Sequence, residues 1–355
     1  MKGTAVTTTM AETGVAVTGG VDTHLDTNMA AALDGVGAQL GTKEFPTNIA
    51  GYRALHLWLE SFGTVVRVGI EGTGAYGAGL ARYLGAHEVQ VIEVDRPNRQ
   101  NRRRRGKSDP VDALSAARAA LSGEASSLAK TRNGAVEAIR VLRVARSSAR
   151  RDRTEALNQM RSLVSTAPDE LREQLRDLSG LALIERAAAL RPGAGMSVIS
   201  ATKTALRELA RRVDYLGEQM DRLTALLGPL VADTAPALVA SHGVGTDTAG
   251  ALLVAAGDNP ERLSHEAAFA HLCGASPIEA SSGKVTRHRL NRGGDRQANH
   301  ALWRIVMVRM VSDPDTRAYV ERRTKDGKSK REIMRCLKRY VARELYPLLA
   351  AEKTA

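Results

Sequence analysis

Cysteine is nearly absent from this 355-residue chain, which carries only Cys273 and Cys336. The two lie far apart and without metal-ligand spacing, so a disulfide-stapled secreted scaffold and a Cys-built zinc site are both excluded; they read as reduced thiols of a cytosolic protein. Aromatic residues make up 3% of the chain, too few for a recognition surface of stacked bases. No apolar run is long enough to span a bilayer. Met1 to Thr13 lacks a basic-then-apolar signal pattern and reads as a loose tail. Acidic residues are also in deficit, 39 against 51 Lys and Arg, for a net charge of +12. That balance points to a polyanionic partner held by charge rather than stacking, with a membrane surface as the rival partner.

What is present is ordinary folded protein, 43% hydrophobic and 25% charged, long enough for two or three domains. Val15 to Val21 is a β-rich run, with Met29 to Leu33 and Gln39 to Phe45 as hairpin partners across the Asp34-Gly35 turn. Asn48 to Phe62 has helical periodicity, Val65 to Ile70 is a buried strand, Tyr76 to Leu84 a helix and Val89 to Val94 a third buried strand. A basic run follows, Arg96, Arg99, Arg102, Arg103, Arg104, Arg105 and Lys107, dense enough to favour a phosphate contact over a merely solvated face. A helix from Asp109 to Leu121 closes the unit. This succession of strands and helices is a ribonuclease-H-like order within an α/β fold class.

From Val136 to Leu230 the chain reads as nearly all helix. Leu206, Leu209, Val213, Leu216, Met220, Leu223, Leu227 and Leu230 alternate three and four residues apart, an a/d heptad seam. The seam serves either a coiled coil between protomers or an internal hairpin against Ala135 to Val164. Gly228-Pro229 is expected to end the helix before Leu230. The last part is mainly helical. It opens with His242-Gly243-Val244-Gly245-Thr246-Asp247, either a plain helix-start loop or a phosphate-holding one. The divisions expected are a tail at 1–13, a first domain at 14–128, a helical coiled-coil segment at 129–234 and a last domain at 235–355.

Four acids carry the chemical signal. Asp22, Glu71, Asp109 and Asp112 stand in Gly20-Val21-Asp22-Thr23, Ile70-Glu71-Gly72-Thr73-Gly74 and Lys107-Ser108-Asp109-Pro110-Val111-Asp112, each where a strand ends or a helix begins. Carboxylates converging from such places form a hard oxygen site suited to Mg²⁺. Two such ions can clamp the attacking and leaving oxygens of a phosphodiester. The plainer reading makes Asp109 a helix cap and Asp22 a turn residue. Further on, Gly274-Ala275-Ser276-Pro277 leads to Ser281-Ser282-Gly283-Lys284, then Arg287, His288, Arg289 and Arg292. Such serines cap or turn loops in most proteins. Among cations they can instead attack a phosphate whose charge is neutralised.

With those motifs in this order, the chain resembles the DEDD-type transposases of bacterial insertion elements, related to the Piv-type DNA invertases, a group that includes recombinases guided by a bridge RNA. The resemblance rests on Gly20-Val21-Asp22-Thr23-His24, Gly69-Ile70-Glu71-Gly72-Thr73-Gly74, Ser108-Asp109-Pro110-Val111-Asp112-Ala113 and the Pro277-to-Gly283 loop. It implies a RuvC-like, ribonuclease-H-like N-terminal domain, a coiled-coil middle and a C-terminal transposase domain with a catalytic serine. It implies that Asp22, Glu71, Asp109 and Asp112 bind Mg²⁺, for which Mn²⁺ can substitute. Ser282, just before Gly283, matches the nucleophile, with Ser281 the alternative. Arg102, Arg103, Arg104, Arg105, Lys107, Lys284, Arg287, Arg289 and Arg292 are the expected nucleic-acid contacts. DNA, a structured bridge RNA and further copies of the chain, as dimers pairing into a tetramer, are the implied partners. A cytoplasmic, nucleoid-associated protein is implied, with no membrane partner. Two competing classes are a RuvC-like nuclease or junction resolvase using metal-bound water, and a non-catalytic nucleic-acid-binding scaffold. A sugar-kinase-like ATPase ranks below both, since no phosphate-binding repeat follows in the second half.

Overall fold

The computed structural model describes residues 15–94, 108–195, 197–284 and 288–351. Its contacts group the chain into two units, one of residues up to 134 together with 257–264, the other of 135–256 and 265–355. Among the described residues no helix is long and apolar enough to cross a membrane.

The first unit is a five-stranded mixed sheet. β1 (Ala16–Thr23), β2 (Thr27–Leu33) and β3 (Gln39–Pro46) form an antiparallel meander. β4 (Thr64–Glu71) then pairs parallel to β1, and β5 (Gln90–Val94) parallel to β4, for the order β3-β2-β1-β4-β5. The parallel strands need crossover connections. Helix α1 (Ile49–Glu60) links β3 to β4, and α2 (Ala78–Ala86) links β4 to β5. Leu55 and Leu59 of α1 and Leu80 and Leu84 of α2 pack with Val17, Val21, Val68 and Ile70, filling one face of the sheet.

The other face belongs to α3 (Asp109–Ser122), whose inward side is a row of alanines, Ala113, Ala116, Ala117 and Ala120, all buried. With both faces covered, β1 is buried from Val17 to Thr23, as central parallel strands are. The segment 257–264 is tied in by polar contacts. Asn259 Nδ2 donates to the Ala129 carbonyl at 3.1 Å, and Arg262 Nε donates to that of Leu128 at 3.1 Å.

Among the described residues, the second unit is helical apart from one short strand pair. Its two long helices, α4 (Ala135–Ser165) and α7 (Val198–Thr234), run antiparallel along each other. Arg146 in the first half of α4 donates to Thr224 Oγ1 in the second half of α7 at 2.8 Å, whereas Met160 near the end of α4 packs with Leu206 and Ala210 in the first half of α7. Between them in sequence lie α5 (Asp169–Leu175) and α6 (Gly180–Ala188), which add Leu171, Leu175, Leu183 and Ile184 to the same core. The heptad seam thus finds its partner within the chain. Leu206, Val213, Leu216 and Leu227 are buried, and Leu209, Met220, Leu223 and Leu230 are half-buried.

Pro229 does not end α7, contrary to the expectation from sequence; the helix runs on to Thr234. An interior proline costs roughly 3 kcal/mol through a lost N–H bond and a ring clash. Leu227 and Val231 on either side of it are buried, and each such side chain returns about 1.5–3 kcal/mol. Packing therefore outweighs the local break.

The chain continues through α8 (Pro236–Ala240), α9 (Thr246–Ala256), α10 (Glu266–Leu272), α11 (Arg296–Ser312), α12 (Pro314–Lys325) and α13 (Lys330–Ala351). Ion pairs fasten these helices beside their buried apolar faces. Arg143 of α4 reaches Asp247 of α9 at 2.7 Å, Arg309 of α11 reaches Glu344 of α13 at 2.6 Å, and Arg339 of α13 forks onto Glu266 of α10.

Candidate metal centre and basic cleft

Asp22 and Glu71 come together because of register. β1 and β4 run parallel with Val21 opposite Ile70, so the two acids follow at the adjoining carboxyl ends of neighbouring strands. Two residues earlier on the same face of each strand stands a glycine. A Cβ on Gly20 would lie 2.2 Å from the backbone N of Ala117, and one on Gly69 would lie 2.5 Å from the carbonyl of Ala116. The two glycines let α3 seat its backbone directly on the sheet, and this carries its first turn, with Asp109 and Asp112, over the strand ends.

Ser108, not Asp109, holds the cap position of α3, with extended backbone at φ −149° and Asp109-Pro110 following inside the helix. That answers the plainer reading of Asp109 as a cap. Negative charge in the first helical turn is favourable on its own account, but Asp112 is 3% exposed and Asp22 is 8% exposed, far from the usual exposure of a carboxylate. Burial raises the Asp22 pKa above its ordinary value; His24 opposes the shift, and the negative charges of Asp112 and Asp109 add to it.

His24 is the neighbour that the sequence displays without assigning. Its Nε2 lies 3.2 Å from Asp22 Oδ2 and 3.7 Å from Asp109 Oδ2. Single ligand atoms of Asp22, His24 and Asp109 all fall within 4.8 Å of one another. Oxygen ligands on opposite sides of a small divalent ion, about 2.0–2.2 Å from it, stand roughly 4.2 Å apart. A small inward shift of these side chains would bring all three donors onto one divalent cation.

Behind this edge, Thr23 Oγ1 donates to the Glu71 carbonyl at 2.8 Å and locks the two strand ends together. Glu93 on β5 is paired opposite Ile70 and so lies on the far face from Glu71. It accepts from Thr73 Oγ1 at 2.8 Å and sits 3.5 Å from Arg262 Nη2, a support for the turn after β4 rather than a member of the acid group.

The remaining expected residues belong to other places. Arg102, Arg103, Arg104, Arg105 and Lys107, with Arg96 and Arg99 before them, lie outside the described residues, as does Arg287. Ser282 belongs to the second unit, in the exposed stretch Ser281 to Lys284 between β6 (Ile278–Glu279) and β7 (His288–Arg289), an antiparallel pair. Gly283 has φ +56°, a conformation glycine adopts without strain.

Arg289 lines a cleft of about 500 Å³ and Arg292 an adjoining one of about 860 Å³. Gly274, Leu290, Asn291, Arg335 and Lys338 line both, so the two form one groove between the 274–296 loop and α13. Ser276 is on its wall.

Lys338 is a functional candidate that sequence reading misses. Its Nζ donates to Asn299 Oδ1 at 3.0 Å, and Asn299 Nδ2 donates to the Cys273 carbonyl at 2.7 Å, just before the loop. Burial, and then the charge of Arg335, push the ammonium below its ordinary pKa. Among the described residues it has no carboxylate partner. In sequence it is one cation among Arg335, Arg339 and Arg343, indistinguishable from a solvated face.

The loop before α9, the other phosphate candidate, is already occupied. Asp247 lies in the first turn of the helix, where it receives Arg143, Arg146 and Arg304, and Thr248 Oγ1 bonds back to Gly245.

Two family models match this chain in succession. The transposase model DEDD_Tnp_IS110 covers residues 19–168, which include all four acids, and the model of the transposase IS116/IS110/IS902 family covers residues 235–321, which include the serine loop. Among curated proteins, the chain is similar to the "Insertion element IS110 uncharacterized 43.6 kDa protein" of Streptomyces coelicolor, at 31% identity over 146 residues. That match spans 40% of this chain and about a third of the relative, 35% of its length.

Proposed function

The chain belongs to the IS110 family of insertion-element transposases, and from its two sites we propose a recombinase that cuts and rejoins DNA through a phosphoserine link. The observation that carries this reading is the approach of Asp22 and Asp109 to one another at the carboxyl end of β1, with Asp112 near enough to act on the charge of Asp22 and Glu71 at the adjoining end of β4. Mg²⁺ held there, or Mn²⁺ in its place, would stabilise charge developing on the phosphate and the leaving oxygen. A meander followed by two parallel strands, ordered β3-β2-β1-β4-β5, supports reading the first domain, at 14–128, as ribonuclease-H-like and RuvC-type; in this reading a helical segment at 129–234 and a transposase domain at 235–355 follow it.

Ser282 supplies the nucleophile in this reading. Its Oγ loses a proton and bonds to the phosphorus, the P–O3′ bond breaks, and the departing 3′ oxygen takes up a proton. The 5′ phosphate stays on the serine, so the energy of the broken ester is kept for rejoining. Attack by the 3′ hydroxyl of the exchanged strand then frees Ser282. Lys284, Arg287, Arg289 and Arg292, close to the serine in sequence, hold the phosphate backbone in this reading together with Lys338, and the Arg102-to-Lys107 run does so from the first domain. A bridge RNA as guide agrees with a chain of net charge +12 and few aromatics, which reads shape and phosphates rather than stacked bases. Dimers pairing into a tetramer on two duplexes would bring the strands together in the bacterial cytoplasm, at the nucleoid.

A reporter of excision and joining in cells, carrying the element's own flanking DNA, tests the acid site. Asp22→Asn, Glu71→Gln, Asp109→Asn and Asp112→Asn should each abolish recombination and leave DNA retention intact. Normal recombination by any two of them would overturn the metal-site reading. Cutting that persists without a protein–DNA adduct would instead identify a metal-dependent nuclease.

A further inference from the structure

We propose that His24 is a direct nitrogen donor to the ion held by Asp22 and Asp109, so that the site prefers a transition-metal divalent ion to Mg²⁺. This rests on the metal-site reading above and goes beyond it by assigning a donor outside the four acids. The ring is placed by its backbone. His24 N–H donates to the Thr27 carbonyl at 2.9 Å, and its carbonyl accepts from Thr47 Oγ1 at 3.1 Å. Both bonds fix the residue where β1 turns into β2, two positions beyond Asp22. An interval of two along an extended chain returns a side chain to the same face. Nε2 accordingly faces carboxylate oxygens from two different elements, hydrogen-bonded to Asp22 at 3.2 Å, a bond that an ion between the two would replace, and 3.7 Å from Asp109.

The chemistry of that donor set differs from an oxygen-only site. Mg²⁺ takes oxygen ligands and keeps much of its water, whereas a neutral imidazole suits later first-row divalent ions, whose affinity rises along the series from Mn²⁺ through Co²⁺. A competing role for His24 is a positive counter-charge between two carboxylates. The two roles make opposite predictions. Loss of a counter-charge would tighten binding of every divalent cation, because the carboxylates would then attract the ion unopposed. Loss of a ligand would weaken binding, and weaken it selectively for ions that favour nitrogen.

The experiment uses the full chain stripped of metal and titrated calorimetrically with Co²⁺, with Mg²⁺ measured by competition. His24→Ala and the shape-conserving His24→Gln should lose about tenfold or more in Co²⁺ affinity, the scale on which disturbed metal-site residues act. Mg²⁺ affinity should change no more than about twofold, since its bonds are to the oxygens and water. Pulsed electron paramagnetic resonance of bound Mn²⁺ should show a ¹⁴N coupling in the unaltered chain that is absent from both variants. Equal losses for Co²⁺ and Mg²⁺, tighter binding in the variants, or no ¹⁴N coupling at a filled site would overturn the assignment of His24 alone. If Asp22→Asn and Asp109→Asn bind Co²⁺ as well as the unaltered chain does, the acid site itself fails, and the inference with it.

Discussion

Gly20 lies directly beneath Ala117, so close that a methyl group on the glycine would fall 2.2 Å from the Ala117 backbone N and 2.3 Å from the Ala113 carbonyl. This contact sets how near the helix bearing Asp109 and Asp112 stands to the strand bearing Asp22. Neither side can yield locally, because the obstructing atoms are backbone. Gly20→Ala should therefore destabilise the first unit by about 3 kcal/mol, at the upper end for overpacked sites, and weaken divalent-ion binding. Denaturant unfolding and metal titration of the same variant measure both.

The raised pKa of Asp22 has a consequence for pH. A carboxyl whose folded pKa lies above its unfolded one favours the protonated form in the fold. Its contribution is most favourable at low pH and is lost as pH rises from the ordinary carboxylate value through the raised one. Asp22→Asn should remove that part of the pH dependence and stabilise the chain at neutral pH in the absence of metal. Mg²⁺ or Mn²⁺ should raise the melting temperature of the unaltered chain at neutral pH and do little for the variant. Thermal melts from pH 4 to pH 8, with and without metal, check the sign.

Ser282→Ala should bind DNA normally and form no covalent adduct, whereas Ser281→Ala should retain adduct formation at least in part. Mass spectrometry of a trapped complex locates the bond. An adduct on Ser281 would move the role by one residue, and one on a tyrosine would overturn the serine mechanism.

Lys338→Met keeps the length of the side chain while removing a half-buried charge that has no carboxylate partner among the described residues. Stability should hold or rise slightly, because the desolvation cost of the ammonium disappears. DNA affinity should fall, with the salt dependence of binding reduced by about one unit of slope, as for one lost phosphate contact. Binding isotherms over a range of salt read this directly. Unchanged affinity and slope would remove Lys338 from the interface.

The seam of α7 gives a prediction on stability. Leu206 is fully buried against α4, so Leu206→Glu places an unpaired charge in a core and should cost more than about 3 kcal/mol, enough to abolish cooperative melting of the helical unit. Leu226 on the same helix is 59% exposed, and Leu226→Glu should change stability by less than about 0.5 kcal/mol. Circular dichroism during heating separates the two.

The sequence alone determined the succession of elements and the places of the acids along it. A β-rich run ending in Asp22, another ending in Glu71 and a helix opening on Asp109-Pro110 are local patterns of spacing and turn chemistry, and such patterns act over a few residues. The heptad seam was legible for the same reason, since its period belongs to one helix. What that seam touches was not legible. The leucines of α7 present the same pattern whether they face a second copy or α4, and only the folded chain shows Met160 and Val164 packing with Leu206 and Val213. Pro229 misled for a related reason: the local cost of a proline is fixed, whereas the burial of Leu227 and Val231 that exceeds it comes from partners distant in sequence. His24 and Lys338 gained their meaning from tertiary structure alone. A histidine two residues after an aspartate becomes a candidate ligand only when α3 brings Asp109 beside it, and one lysine in a basic helix becomes special only when it donates to Asn299 of α11 and burial takes away its water. Spacing is written along one element, but burial and partnership are decided between elements, where short-range pattern carries no information.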